Sequence, residues 1–149
     1  MKTKLVDISP SPAARFHAFS SSPEMEAWAA MEEWARSQGL WVGGVMLGPD
    51  ATARVYGYNN PDPSAGSPNY GYEFLVTGVE PDGAPEVVDF PGGRYLVVPF
   101  AHDDPMQLPA AWKRHAEWAQ ENGYEVAAHQ WLERHIPPGF NLELYLPVR

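Results

Sequence analysis

The chain has 149 residues, of which 44% are hydrophobic and 13% aromatic, and its formal net charge is −9. It contains no cysteine, which excludes disulfides, a thiol nucleophile and cysteine-ligated zinc or iron–sulfur sites. The 10 basic residues against 19 acidic ones argue against binding to a nucleic-acid backbone. We therefore expect one domain over residues 1–149, whose partners are neutral or cationic.

The sequence has no run of about 18 apolar residues that could span a bilayer. Its start, Met1–Asp7, is charged and lacks the apolar stretch of a secretory signal. These features favour a soluble cytoplasmic protein with no membrane partner.

The first predicted elements are a strand at Arg15–Phe19 and a helix that follows it. Ser20–Pro23 is typical of a helix start, because serine caps helices and proline fits the first turn. Gly39 is expected to end this helix. Two further strands are predicted at Arg54–Tyr58 and Tyr70–Val76.

The second half of the chain repeats this order of elements. A strand is predicted at Arg94–Val98, and Asp103–Pro105 is expected to open a helix that ends at Gly123. Two more strands are predicted at His129–Arg134 and Asn141–Leu146. Each half thus has the order strand, helix, strand, strand.

Like residues also recur at a constant spacing of 84 positions. The pairs are Trp28 with Trp112, Trp34 with Trp118, and Gly39 with Gly123. Together with the repeated element order, this spacing predicts an internal duplication, with one repeat at about 13–79 and the other at about 90–149. The predicted fold class is α+β, with tandem strand-helix-strand-strand repeats, antiparallel sheets, two helices and a cleft between the halves.

Five segments, in their order along the chain, resemble the GyrI-like small-molecule-binding family. They are YGYNNP (Tyr56–Pro61), YGYEFLV (Tyr70–Val76), FPGGRYLVVPF (Phe90–Phe100), WLERH (Trp131–His135) and NLELYLPV (Asn141–Val148). The resemblance covers roughly residues 13–149 and implies the fold of the effector-binding domain of AraC-type and MerR-type multidrug regulators. Because no helix-turn-helix sequence precedes the first strand, we expect the stand-alone form of this domain.

The resemblance further implies that Glu133 is the acidic residue of the ligand pocket. In a strand of period two, Trp131 and Glu133 lie on the same face of the sheet. A carboxylate beside an indole attracts an organic cation by charge and by cation–π interaction. The alternative is a surface glutamate that pairs with Arg134 or Arg94.

Two aromatic strands contain tyrosines that alternate with glycine. The residues are Tyr56, Gly57, Tyr58, Tyr70, Gly71 and Tyr72. Glycine between two tyrosines leaves one strand face bare and places both rings on the other. Such rings either form a pocket floor for a flat ligand or pack under the helices. For Tyr56 the sequence does not decide between a pocket residue and a packed core residue, whereas Tyr58 and Tyr72 are favoured as pocket walls.

The second helix carries Trp112 and Trp118, which point about 120° apart because they are six positions apart. We therefore assign Trp112 to the pocket and Trp118 to the core. Glu73 is a second candidate ligand acid; its alternatives are a solvent-exposed acid and a buried partner of a basic residue.

No cofactor or metal is expected. Asp103 and Asp104 are explained as a helix cap, and His129 and His135 would lie about 20 Å apart on one strand. No catalytic residue is assigned, because the serine run at residues 20–22 reads as a helix cap and no nucleophile elbow exists.

The leading functional hypothesis is a stand-alone pocket for a hydrophobic, aromatic, cationic small molecule, in a monomer or homodimer. Two alternatives follow from the family resemblance. Some GyrI-like proteins hydrolyse strained cyclopropane rings of alkylating natural products, in which case Glu133 would be the acid or base. Others act through a protein partner, as in gyrase inhibition.

Overall fold

The computed structural model describes residues 2–42, 45–46, 52–137 and 139–149. The chain divides into two compact units. The first unit is Ser11–Phe90, and the second unit consists of Met1–Pro10 with Pro91–Arg149. Within the described ranges, neither helix is long and apolar enough to cross a membrane.

The described elements, in chain order, are as follows. They are β1 (Lys4–Ile8), β2 (Ser11–Ser20), α1 (Pro23–Ser37), β3 (Trp41–Val42), β4 (Val45–Met46), β5 (Arg54–Asn59), β6 (Tyr70–Thr77), β7 (Val87–Phe90), β8 (Gly93–Pro99), α2 (Leu108–Glu121), β9 (Leu132–His135) and β10 (Leu142–Pro147).

The first unit is an antiparallel sheet in the order β5-β6-β2-β7, with α1 packed on one face. Alternate residues of β2 and β6, such as Phe16 and Phe74, are buried against Met31 and Trp34 of α1. This alternation follows from the two-residue period of a strand. The helix starts at Pro23 as predicted, and Gly39 follows it with a φ of 71°, the left-handed conformation typical of a helix end.

The second unit is an antiparallel sheet in the order β1-β8-β10-β9, with α2 on one face. Leu96 of β8 and Leu146 of β10 are buried against Ala119 of α2. The predicted cap at Asp104 is present, but it opens a 3-10 turn at Pro105–Gln107 that leads into α2. There the Asp104 carboxylate accepts the Met106 backbone N–H at 3.0 Å.

The predicted α+β class and the repeated strand-helix-strand-strand order are confirmed. The first unit contains β2-α1-β5-β6 and the second contains β8-α2-β9-β10 in that order. Four described strands were missed in the sequence: β3 and β4, which have two residues each and pair with one another, and β1 and β7. Strands β1 and β7 pair with β8 and β2 respectively. Strands β1 and β7 have largely exposed residues, so their pairing is fixed by tertiary contacts rather than by a local apolar pattern.

The prediction of a strand beginning at His129 is wrong, because β9 begins at Leu132. The His129 ring packs edge-on against Tyr95 at 4.9 Å, and its Nε2 lies 3.1 Å from the Arg94 carbonyl oxygen. These contacts hold the segment before β9 away from the strand pairing of β9 with β10.

Candidate functional site

The second unit brings an acid and two indoles together, and we name Glu133, Trp112 and Trp131 the acid–indole cluster. The Trp112 indole Nε1–H donates to Glu133 Oε2 at 3.2 Å. The rings of Trp112 and Trp131 lie 5.2 Å apart, tilted by 47°. The cluster thus joins three of the residues predicted for the pocket, from α2, from β9 and from the segment before β9.

The position of Trp131 in the acid–indole cluster differs from the predicted one. It lies just before β9 rather than within it, so it does not share a strand face with Glu133. Trp131 is 37% exposed, and its ring packs beside that of Trp112, which in turn contacts Glu133. The predicted grouping of Trp131 with Glu133 is therefore present, but the shared strand face is wrong.

The two arginines considered as surface partners of Glu133 have other acidic partners. Arg134 Nη1 donates to Glu143 Oε1 at 3.0 Å, across the β9–β10 register pair of these residues. Arg94 Nε donates to Asp7 Oδ1 at 2.9 Å. Glu133 instead lies opposite Leu144 of β10, on the face of the sheet that carries α2.

His135 lies two residues beyond Glu133 on the same strand face. Burial lowers the pKa of His135 to about 4. The imidazole is therefore neutral at neutral pH and supplies no positive charge to this face of β9. Glu133 is thus the acidic side chain of β9 on the α2 side of the sheet.

The four tyrosines of the first unit are divided between two faces of its sheet. The register pairs Tyr58 with Glu73, and Asn59 with Tyr72. Because directly opposed residues share a face, Tyr58 lies on the face opposite to that of Tyr72. The four rings therefore form no single floor, which corrects that interpretation.

Tyr72 packs under α1 and is not a pocket wall. It is 2% exposed and belongs to the core under α1, where its ring contacts Phe74 at 5.0 Å. A Cβ on Gly57 would lie 2.4 Å from the Tyr72 hydroxyl oxygen, so glycine makes room for the phenol. Tyr56 is also buried and stacks on Phe90 at 5.6 Å.

Glu73 is the buried partner of a basic residue, one of the alternatives stated for it. Arg15 donates to both carboxylate oxygens at 3.0 Å, Tyr58 donates at 2.5 Å, and Asn60 donates at 2.9 Å. Burial by itself raises the pKa of Glu73, but the hydrogen bonds from Arg15, Tyr58 and Asn60 outweigh it and the pKa is lowered. Arg15 was missed in the sequence because 58 positions separate it from Glu73.

The assignment of Trp118 to the core is wrong. Its side chain is 40% exposed, and its ring stacks on Tyr124 at 6.3 Å. The buried positions of α2 are His115 and Ala119, which project toward the sheet and leave Trp118 on a flank of the helix. Trp112, by contrast, is half-buried and packs against the sheet.

No group of three or more metal-ligating side chains occurs in the described ranges. The ring of His102 lies 5.5 Å from that of Phe100.

The comparisons with known proteins agree with this fold. The model of the Cass2 family, described as integron-associated effector binding protein, matches residues 47–148. An integron cassette protein from the mobile metagenome of Vibrio cholerae, VCH_CASS2, has a TM-score of 0.54 and 14% identity over 99% of this chain and 95% of its own. Among curated proteins, no match is found.

Two further solved structures share the fold. The C-terminal domain of EcmrR has a TM-score of 0.65 and 15% identity over 99% of this chain and 97% of its own. SAV2435, solved bound to tetraphenylphosphonium, has a TM-score of 0.55 and 13% identity over 100% of this chain and 94% of its own. The GyrI-like assignment made from the sequence is thereby confirmed, and the chain belongs to the Cass2 family of integron-associated effector-binding proteins.

Proposed function

We propose that this protein binds a hydrophobic, aromatic, cationic small molecule at the acid–indole cluster. The observation that carries the proposal is the contact of the Glu133 carboxylate with Trp112, itself beside the half-exposed ring of Trp131. A carboxylate supplies the countercharge for an organic cation, and each indole face adds about 0.5–2 kcal/mol of cation–π attraction.

The surroundings favour a cation over an anion. Arg134 and Arg94 are engaged by Glu143 and Asp7, and burial keeps His135 neutral at neutral pH. The net charge of −9 acts in the same direction over longer distances. The family described as effector binding, and the tetraphenylphosphonium held by SAV2435, support the same ligand class.

The experiment titrates the protein with tetraphenylphosphonium and with neutral triphenylphosphine oxide, using calorimetry. Glu133→Gln keeps the size of the side chain and removes its charge. We expect it to weaken the binding of the cation by about 1–3 kcal/mol, or roughly 5- to 150-fold in Kd, and to spare the neutral probe. Equal losses for both probes, or no binding of the cation, would contradict the proposal.

The matched control is Glu125→Gln, which removes the same charge from the same unit. Glu125 is exposed and pairs with Arg149 at 3.3 Å, outside the acid–indole cluster. We expect it to change the affinity for tetraphenylphosphonium by less than about twofold, because an exposed charge is screened by solvent and salt. Mass analysis of the recovered ligand separates binding from the hydrolase alternative, which requires a hydrated product.

A further inference from the structure

A second concave surface lies in the second unit, on a flank of α2 that does not carry the acid–indole cluster. It encloses about 400 Å³, which is within the range of small-molecule sites. We name it the α2 groove. Its lining includes Val98, Phe100, Ala111, His115, Trp118 and Leu144, and excludes all three residues of the acid–indole cluster.

The floor of the α2 groove is apolar. Val98, Phe100 and Leu144 are buried core residues of β8, of the segment after it and of β10. Beneath the groove, His115 Nε2 lies 2.9 Å from the Leu96 carbonyl oxygen, and burial lowers the pKa of His115 below its usual value. The floor therefore favours an apolar ligand face and presents no charge to it.

One wall of the groove is the exposed ring of Trp118. A tryptophan that is 40% exposed beside a cavity has no role in the core, because the buried positions of α2 are His115 and Ala119. Its stacking on Tyr124 holds the indole in place at little entropic cost. A fixed, exposed indole beside an apolar floor is suited to a planar ring.

The groove is lined by one basic and two acidic side chains, and their charges cancel when Lys113, which lies outside the lining and pairs with one of the acids, is counted. Glu117 lines it and pairs with Lys113 at 3.9 Å, and Arg114 lines it together with Glu121. Neither Arg114 nor Glu121 forms an ion pair within the described part of the chain. The rim thus offers one guanidinium donor and one carboxylate acceptor, with no net charge to select an ion.

We propose that the α2 groove binds a planar, neutral aromatic molecule whose polar edge hydrogen-bonds to the groove rim at Arg114 and Glu121. This is a second site, separate from the acid–indole cluster and of different ligand charge. The apolar floor would take the ring, Trp118 would stack on it, and Arg114 would donate to a carbonyl or ring acceptor. The proposal does not depend on the cation site being functional.

The test uses 7-methoxycoumarin as the neutral planar probe and tetraphenylphosphonium as the cation. The indole N–H signals of the six tryptophans report on each site in ¹⁵N-labelled protein. We expect the coumarin to shift the Trp118 signal saturably and to leave the signals of Trp112 and Trp131 in place. No shift at Trp118, or a shift confined to Trp112 and Trp131, would overturn the proposal.

Three variants locate the site by affinity. Trp118→Ala is expected to weaken coumarin binding by about tenfold, the scale of one lost aromatic contact. Ala101→Phe, at an exposed position of the groove lining, is expected to weaken it similarly by filling the opening. Trp131→Ala, the matched loss of an exposed indole, is expected to leave it within about twofold.

The two proposals fail separately. If tetraphenylphosphonium binds nowhere while coumarin shifts Trp118, the cation site is refuted and the α2 groove is supported. If coumarin binding survives both Trp118→Ala and Ala101→Phe unchanged, or a planar cation such as a methylquinolinium binds the groove equally well, the inference about the groove is refuted.

Discussion

Replacement of Glu73 by glutamine tests the buried polar network of the first unit. The carboxylate is 2% exposed and accepts hydrogen bonds from Arg15, Tyr58 and Asn60. Glutamine has nearly the same volume but presents an NH₂ group to donors, so at least one contact with Arg15 becomes repulsive. Loss of charge-assisted hydrogen bonds of this kind costs about 1.5–3 kcal/mol.

The position of Arg15 sets the upper limit of this loss. Breaking a buried ion pair costs about 3–5 kcal/mol when the remaining charge has no other partner. Arg15 is partly exposed, with 24% of its side chain accessible, and it also bonds to Glu86. We therefore expect Glu73→Gln to lower the free energy of unfolding by about 2–3 kcal/mol, or the Tm by roughly 5–10 °C.

The pH dependence provides a second readout. The folded pKa of Glu73 is lowered, so the unfolded chain takes up its proton first as the pH falls. The stabilisation is therefore complete above the unfolded pKa of about 4.5 and is lost as the pH falls through the lower folded value. We expect the difference between wild type and Glu73→Gln to be constant from pH 7 to 6 and to shrink towards pH 3.

Urea unfolding followed by tryptophan fluorescence at several pH values measures both effects. The control is Glu86→Gln, which removes the exposed partner of Arg15 and is expected to cost less than about 1 kcal/mol. A loss for Glu73→Gln no greater than that of Glu86→Gln would refute the reasoning. So would a difference that stays constant down to pH 3.

Three further predictions concern packing and titration. Gly57→Ala places a Cβ 2.4 Å from the Tyr72 hydroxyl oxygen and is expected to cost about 1–3 kcal/mol in urea unfolding, and less in a Tyr72→Phe background. Burial raises the pKa of Tyr95 to about 12. The difference between the ultraviolet titration curves of wild type and Tyr95→Phe should therefore show one phenol with that midpoint. The free energy of unfolding should fall as the pH rises from 10 to 12, because the unfolded chain loses this proton first. Burial lowers the pKa of His135 to about 4, so wild type should lose stability relative to His135→Gln as the pH falls from 6.5 to 4; parallel curves would contradict this.

Local signals in the sequence were sufficient for the helices and most strands. Pro23 is the first residue of α1 and Gly39 follows its last turn, so neighbouring sequence sets those boundaries, although the predicted serine cap at Ser22 makes no side-chain hydrogen bond to the helix. The aromatic and β-branched residues of β5 and β6 likewise predict strands from local sequence, and β6 is buried on both of its faces. The repeat at a spacing of 84 added the twofold element order.

Long-range contacts decided the residues that the sequence placed wrongly. Which flank of α2 faces the sheet depends on the packing of the whole helix, so Trp112 became half-buried while Trp118 remained exposed. The strand register alone placed Tyr58 beside Glu73 and Tyr72 on the other face. A periodic pattern shows which residues share a face within one strand, but it does not fix the register of that strand with its neighbour.

The sequence by itself determined the α+β class, the duplicated order of elements and the residue types of the proposed cation-binding site. Tertiary structure decided which of those residues meet. Glu133 contacts Trp112 across 21 positions because α2 packs on the sheet that contains β9, and Glu73 contacts Arg15 across 58 because β2 and β6 pair as antiparallel strands. The physical reason is that helix ends depend on adjacent residues, whereas a binding site depends on contacts between distant segments that no local pattern records.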